Sequence, residues 1–194
     1  LNDVQSMPGA RVAALAKVLP EDNLDALRRH PAAGDAATAW DDCREMLARE
    51  KPDVAIVGTR LDLIADAAMD AARAGAHLIC EKPLALDRER LDAIWGVVSG
   101  AGVECLAMLN MRGQAAFAAA RDIVRGGGVG RVILTNARKS YKWGKSRPEW
   151  FGRRELYGGT IPWVGIHAFD MIHYITGHSF AAVGAMQSNA VHPE

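Results

Sequence analysis

The sequence is poor in cysteine and has no excess of charge of either sign. Its three cysteines are scattered and form no CxxC pair, which excludes a disulfide framework and indicates a reducing compartment. The 23 lysines and arginines balance the 23 aspartates and glutamates, so no global field attracts nucleic acid or an anionic membrane. No apolar run approaches the roughly 18–20 residues of a membrane span. We therefore expect a cytoplasmic protein, although a chain that begins at Leu1 leaves an export signal open.

Short apolar runs alternate with helical segments in the first half of the chain. The runs are continuously apolar, which is typical of strands buried on both faces of a parallel sheet. Strands are predicted at Arg11–Ala16, Asp53–Gly58, His77–Cys80 and Val103–Leu109. Helices are predicted at Asp41–Glu50, Leu63–Ala74 and Asp87–Val98, the last with Asp87 as its N-cap and Gly100 just past its end. This alternation predicts an α/β fold with a parallel sheet and right-handed crossovers.

The pattern changes near Leu109, where we place a boundary between a domain of residues 1–109 and a domain of residues 110–194. The second domain is predicted to contain helices at Ala115–Arg125 and Gly165–Thr176 and strands at Arg131–Ala137 and Ala181–Ser188. These elements predict part of an α+β domain with an open sheet. An exposed apolar sheet face tends to be covered by a partner, so we expect a homo-oligomer formed through this sheet.

The stretch AHLICEKPLALD places a charged pair and a proline at the end of a buried strand. Ligands of open parallel sheets bind beyond the carboxyl ends of the strands, so Lys82 is predicted at the mouth of a site. Its ammonium could hold a substrate hydroxyl and stabilise a developing alkoxide while a hydride leaves the carbon. Glu81 would orient the ammonium, and Pro83 would fix the bend. The alternative is a solvated Glu–Lys pair on an ordinary turn.

The residues around this tripeptide resemble the Gfo/Idh/MocA family of NAD(P)-dependent oxidoreductases. Besides AGAHLICEKPLALD, four segments resemble family segments in the same order: DVAIVGTR, MLNMR, GGGVGRVI and GGTIPWVGIHAFDMIHYITG. The resemblance covers the chain from about Arg11 onward. It implies a Rossmann-type doubly wound parallel sheet whose first strand and GxGxxG loop would precede Leu1. It also implies further strands of the second domain after Glu194, so we expect an incomplete chain.

The same resemblance implies roles for individual residues. Lys82 would be the catalytic lysine near the nicotinamide and the substrate hydroxyl, and His167 would be the general acid/base. Imidazole side chains ordinarily titrate near neutral pH, which suits that task. Both side chains would converge on one cleft beside the nicotinamide ring. The residues implied for the nicotinamide and ribose side are Thr59, Glu81, Asn110 and Pro83, before which the family often has a cis peptide.

The sequence departs from the family pattern at position 163. Family members commonly carry an Asp four residues before the histidine, whereas Trp163 can neither accept a proton nor orient an imidazolium by charge. Trp163 could contact the substrate by stacking on a sugar face, or it could be packing between domains. Asp170 could support His167 or contact substrate, or it could be a surface or capping residue. His167, Asp170 and His173 follow one another at steps of three residues, a spacing that metal ligands can have. Their side chains would point in directions that drift around the helix, so we expect no metal.

A second departure concerns the choice between NAD and NADP. NAD enzymes usually carry an acidic residue at the end of the second strand, where it bonds the ribose 2′-hydroxyl. Here RVAALAKV places Lys17 at that point. A cation would attract the 2′-phosphate of NADP, and Arg60 raises the local positive charge, so the sequence slightly favours NADP. Lys17 could equally be a solvated loop residue.

A loop rich in cations and aromatic side chains runs from Lys139 to Tyr157. Such interleaving also occurs in sites for single-stranded nucleic acid, but the balanced charge and the family resemblance argue against that partner. We predict that Tyr141 and Trp150 contact a sugar or an acidic small-molecule substrate. Most other residues of the loop are expected to be solvated or packed on the core.

Three functions stay open. The first is an NAD(P)-dependent oxidoreductase that transfers a hydride between nicotinamide and a small hydroxylated or keto substrate, expected to be carbohydrate-like. The second is a non-catalytic, dinucleotide-sensing or regulatory protein on the same scaffold, which Trp163 motivates. The third is a fragment or assembly module with no independent function, which the absence of the first strand motivates.

Overall fold

The computed structural model describes residues 4, 7–29, 33, 37–144 and 147–188. Contacts between residues divide the chain into two compact units, Leu1–Ala107 and Met108–Glu194. All strands found among the described residues belong to the first unit, and the regular elements of the second unit are helical there. No helix in the described part of the chain has both the length and the apolar content needed to cross a bilayer.

The strands of the first unit are short and pair in parallel. They are β1 (Ala14–Ala16), β2 (Thr38–Trp40), β3 (Val54–Val57), β4 (His77–Cys80) and β5 (Cys105–Ala107). One sheet contains β1 and β2, and the other has the order β3–β4–β5. Cys80 pairs with Val57 on one side and Ala107 on the other, so these three strands end level with one another. The parallel α/β fold is confirmed, but it contains two sheets in the described residues where one was predicted, and β2 was not predicted.

Helices follow the strands of the first unit. They are α1 (Asp25–Arg28), α2 (Cys43–Glu50), α3 (Ile64–Arg73) and α4 (Arg88–Ala101). Asp42 and Asp87 are the N-caps of α2 and α4, and each carboxylate accepts a backbone N–H at 2.8 Å. The predicted stop of α4 at Gly100 is wrong, because the helix runs through that residue. It ends where Gly102 adopts the left-handed conformation, with φ of 68°, and its N–H reaches back to the last turn.

The core of the first unit lies between α3 and the three-stranded sheet. The inner face of α3 carries Ile64, Ala68 and Ala72, all fully buried, and the sheet presents Leu78 and Cys80. Small alanine side chains allow the helix to lie close to the strands and to α4, which it also contacts. This packing holds the carboxyl ends of β3 and β4 in place.

The second unit contains α5 (Ala115–Arg125), α6 (Arg154–Tyr157) and α7 (Ile166–Thr176). A π-helical turn, Ile161–Gly165, leads directly into α7, and Gly177 ends the helix in the left-handed conformation, as predicted. Helix α5 packs along α7. Its last residue, Arg125, donates hydrogen bonds to the carbonyls of His173 and Tyr174, in the last turn of α7, at 3.3 and 2.8 Å.

The two strands predicted for the second unit are not observed. Residues 131–137 and 181–188 form no strand, and Ile133 and Leu134 are 80% and 88% exposed. A strand needs a neighbour to pair its backbone N–H and C=O groups, and no strand of this unit lies among the described residues. Homo-oligomerisation through a second-domain sheet therefore stays a prediction.

Candidate active site

Strand β4 places Glu81, Lys82 and Pro83 at its carboxyl end. The Glu81 N–H donates to the Val57 carbonyl at 2.8 Å, so the backbone stays attached to β3 one residue past the strand. The Lys82–Pro83 peptide bond is cis, the form that the family resemblance implied. Lys82 is only 5% exposed, and its Nζ lies 3.9 Å from Oε1 of Glu81. A largely desolvated cation at a strand end is well suited to stabilise a negative oxygen.

Thr59 follows β3 at the same edge of the sheet. Its hydroxyl is buried and has no hydrogen-bond partner among the described residues. An unsatisfied buried polar group costs roughly 1–3 kcal/mol, and such groups are rare in native proteins. A polar atom of a bound ligand would satisfy this hydroxyl. Thr59 and the β4 end therefore fit a dinucleotide bound at the carboxyl edge of the sheet.

Arg60 adds less positive charge to this edge than its position predicted. Its Nε and Nη2 donate to the two carboxylate oxygens of Asp62 at 2.7 and 3.0 Å. The hydrogen bonds to Asp62 raise the pKa of the guanidinium. The charge of Arg60 is therefore matched by a neighbouring carboxylate, and its role in cofactor binding stays a prediction.

The other sheet ends at a cavity of about 450 Å³. Lys17 follows β1 and Asp41 follows β2, and Lys17 Nζ lies 2.6 Å from Asp41 Oδ1. Hydrogen bonding to Lys17 lowers the pKa of Asp41. Lys17 thus lines a cavity, but it does so as half of an ion pair. Sequence reasoning missed the partner, because Asp41 was assigned to the start of a helix and β2 before it was not recognised.

His167 lies near the start of α7 and is 3% exposed. The ring of Tyr141 stands edge-on to it, with 6.4 Å between the centroids, and contacts Trp163 at 5.1 Å. Trp163 belongs to the π-helical turn just before α7, and such turns occur frequently at functional sites. The second unit therefore brings together three of the predicted site residues.

These residues belong to an aromatic cluster, which we define as Tyr141, Trp143, Trp150, Phe151, Tyr157 and Trp163. Trp150 stacks on Phe151 at 4.0 Å, and Trp163 meets the same ring edge-on at 5.0 Å. The guanidinium carbon of Arg147 lies 4.3 Å from the Trp163 ring centroid. Trp150 and Trp163 are therefore packing residues of the second unit, and their substrate contacts stay predictions. Tyr141 is 41% exposed.

Asp170 is held by Arg112, a residue that sequence reasoning did not select. Arg112 Nε lies 3.0 and 3.1 Å from the two carboxylate oxygens, and Nη2 donates to one of them. This bonding raises the pKa of Arg112. The Tyr174 hydroxyl donates to the Arg112 carbonyl at 3.1 Å, so the 3₁₀ turn Asn110–Gly113 is tied to α7 at two points. The arginine in MLNMR was the only feature of the sequence that could have indicated this pair, and it lies 58 residues from Asp170.

Asn110 opens this turn and is exposed, so its cofactor role stays a prediction. His173 Nδ1 lies 3.0 Å from the carbonyl oxygen of His178. Within the described ranges, no group of three or more His, Cys, Asp or Glu side chains is arranged to hold a metal ion.

Comparison with known proteins identifies the class. Residues 1–108 match the oxidoreductase family with an NAD-binding Rossmann fold, and residues 117–194 match the GFO/IDH/MocA C-terminal domain. The chain belongs to the Gfo/Idh/MocA oxidoreductase family, which confirms the resemblance seen in its motifs.

Three of the similar proteins illustrate what the chain resembles. A levoglucosan dehydrogenase from Pseudarthrobacter phenanthrenivorans is 31% identical over 145 residues, which cover 72% of this chain and 37% of that protein. A solved oxidoreductase from Thermotoga maritima is 36% identical with a TM-score of 0.82, covering 88% of this chain and 53% of that one. A levoglucosan dehydrogenase solved with NADH and levoglucosan is 26% identical with a TM-score of 0.74, covering 86% and 45%. The chain therefore spans about half the length of these relatives or less.

Proposed function

We propose that the protein is an NAD(P)-dependent oxidoreductase that transfers a hydride between nicotinamide and a hydroxyl or keto carbon of a carbohydrate-like substrate. The observation that carries this proposal is the buried side chain of Lys82 at the end of β4, at the same edge of the sheet as the buried hydroxyl of Thr59. Membership of the oxidoreductase family supports the reaction type. The levoglucosan dehydrogenase relatives support a sugar as substrate and NAD as cofactor.

Lys82, Thr59 and Glu81 would hold the cofactor and substrate at the carboxyl edge of the sheet. A bound nicotinamide would supply the acceptor or donor of the hydride. In the oxidation direction, Lys82 donates a hydrogen bond to the substrate oxygen and stabilises the negative charge that develops there. An imidazole nitrogen of His167 accepts the hydroxyl proton. Both side chains are at most 5% exposed, and exclusion of water strengthens the interaction of a charge with the reacting oxygen.

The aromatic cluster supports a sugar as substrate. Rings that stand edge-on present apolar faces and edges that suit the C–H face of a sugar. Tyr141 is exposed whereas Trp163 is half-buried, so we propose Tyr141 as the side chain that meets the substrate. Trp163 would then act by fixing Tyr141, whose ring lies 5.1 Å away.

Replacement of Lys82 by methionine tests the assignment, since it removes the charge and keeps the length of the side chain. Loss of a group that stabilises the developing charge lowers kcat by about 10²–10³-fold. We expect that loss in the full-length protein, measured on a panel of anhydrosugars, glycosides, polyols and sugar acids. Lys142→Met removes an exposed ammonium and is the matched control. A Lys82→Met variant with wild-type kcat on an identified substrate would refute the role of Lys82.

The regulatory alternative is favoured by one observation, the tryptophan at position 163. It predicts binding of NADH or NADPH with no turnover on the whole panel. Fluorescence titration of the wild-type protein with both nucleotides, followed by the same panel, separates the two functions.

A further inference from the structure

The cavity at the ends of β1 and β2 is lined by more acidic than basic side chains. Its walls come from the residues after β1, the segment that leads into α1, α1 itself and the end of β2. The charged groups that line it are Lys17, Glu21, Asp22, Asp25, Arg28 and Asp41. Four carboxylates thus face two cations, an excess of two negative charges.

The position of the cavity follows from the fold. In dinucleotide-binding sheets, the residue that ends the second strand meets the ribose 2′ position. The family resemblance implies that β1 is that strand, and Lys17 comes directly after it. The Lys17 backbone N–H donates to the Trp40 carbonyl at 3.1 Å, which extends the pairing with β2 and brings Asp41 alongside. Lys17 and Asp41 therefore stand together at the carboxyl edge.

The cation in this cavity is already engaged. Lys17 Nζ contacts Asp41 Oδ1 at 2.6 Å, and the Lys17 side chain is 26% exposed whereas that of Asp41 is 91% exposed. Asp22 is fixed in the wall, because its Oδ2 accepts the N–H groups of Val18 and Leu19 at 3.0 and 2.9 Å. An incoming phosphate would have to displace Asp41 from Lys17 and approach the remaining carboxylates.

We propose that the Lys17–Asp41 pair makes this cavity selective for the uncharged ribose 2′-hydroxyl of NAD and excludes the 2′-phosphate of NADP. The inference rests on the proposed function, and it reverses the preference that Lys17 alone suggested. A 2′-phosphate carries about 1.5–2 negative charges near pH 7. A 2′-hydroxyl carries none, and the exposed Asp41 carboxylate can accept its hydrogen bond while staying paired with Lys17.

The test compares the dissociation constants of NADH and NADPH for the full-length protein by fluorescence titration at low salt. We expect NADH to bind at least about tenfold more tightly than NADPH, from the repulsion between the phosphate and the excess carboxylates. Asp41→Asn keeps the shape of the side chain and frees the Lys17 charge. It should tighten NADPH binding by about tenfold, and it should not tighten NADH binding, because the 2′-hydroxyl loses its charged acceptor.

Two further variants separate charge from structure. The double variant Asp41→Asn with Lys17→Met should lose the gain in NADPH affinity, because the released cation is what would attract the phosphate. Asp25→Asn removes another lining carboxylate and should tighten NADPH binding in the same direction. Asp92→Asn is the control, since Asp92 also pairs with an arginine in the first unit, Arg88 at 2.8 Å, but lies outside the cavity.

The outcomes are distinct. Equal binding of the two nucleotides by the wild-type protein, or tighter binding of NADPH, overturns the selectivity and leaves the proposed function standing. If neither Asp41→Asn nor Asp25→Asn changes the affinity for NADPH, the selectivity is overturned as well. Failure of the wild-type protein to bind either nucleotide overturns the proposed function and this inference together. Raising the salt concentration should shrink the difference between NADH and NADPH, because screening weakens interactions between exposed charges.

Discussion

The Arg112–Asp170 pair should be one of the stronger polar contacts of the second unit, and its strength can be measured. Two hydrogen bonds of 3.0 and 3.1 Å run from Nε, with a third from Nη2, and the Asp170 side chain is 8% exposed against 45% for Arg112. Exposed ion pairs contribute about 0.2–1 kcal/mol, and breaking a fully buried one costs about 3–5 kcal/mol. With one partner buried and the other half-exposed, we expect Asp170→Asn to lower the free energy of unfolding by about 2 kcal/mol.

The assay is a double-mutant cycle with Arg112→Gln and Asp170→Asn, with unfolding in urea followed by tryptophan fluorescence. The control cycle uses Arg88 and Asp92, a pair of similar bond length on the surface of α4, with side chains 84% and 59% exposed. We expect a clearly larger coupling energy for Arg112–Asp170, because solvent screens the control pair. A coupling no larger than that of the control pair would show that burial of Asp170 adds nothing to the contact. Such a result would also mean that Asp170 does not stabilise the attachment of the Asn110–Gly113 turn to α7.

Two further predictions concern stability. Asp87→Ala should lower the free energy of unfolding by about 1 kcal/mol, because the Arg90 N–H loses its capping carboxylate; equal stability of Asp87→Ala and wild type in urea would contradict the cap. Burial raises the pKa of the Cys80 thiol from 9.0 to about 12, so the native state keeps the proton when the unfolded state releases it. The stability that this thiol contributes is complete below pH 9 and is lost as the pH rises toward 12. Above pH 9 the urea midpoint should therefore fall less steeply with pH in Cys80→Ala than in wild type. Parallel falls in the two proteins would refute the raised pKa of Cys80.

Elements whose signal is local were predictable from the sequence. Helix α5 begins and ends at the predicted residues, Ala115 and Arg125, and β4 does so at His77 and Cys80. Both have a continuous apolar pattern and clear flanking residues. Helix α4 shows the limit of this signal, since glycines at positions 100 and 102 are both plausible stops. The choice between them depends on which glycine takes the left-handed conformation, and the local sequence does not state it.

Features that depend on distant partners were not predictable. β2 is a three-residue strand that pairs with β1 alone in the part of the chain that the structure describes, and its mixed exposure has no periodic pattern. Residues 131–137 have the composition of a strand but lack a neighbour in the described part of their unit. The Lys17–Asp41 and Arg112–Asp170 pairs join residues 24 and 58 positions apart, and charge sequence alone does not indicate which carboxylate meets which cation.

The tryptophan at position 163 has a packing role in the second unit, and its contact with substrate stays a prediction. Trp163 makes edge-on contacts with Tyr141 and Phe151 and a cation–π contact with Arg147. Together such contacts stabilise by roughly 1.5–4 kcal/mol beyond the area they bury. The aspartate that the family commonly carries there has no ring with which to make them. Trp163 contacts the ring of Tyr141, which in turn stands edge-on to His167, so a smaller side chain at position 163 would loosen the packing around Tyr141.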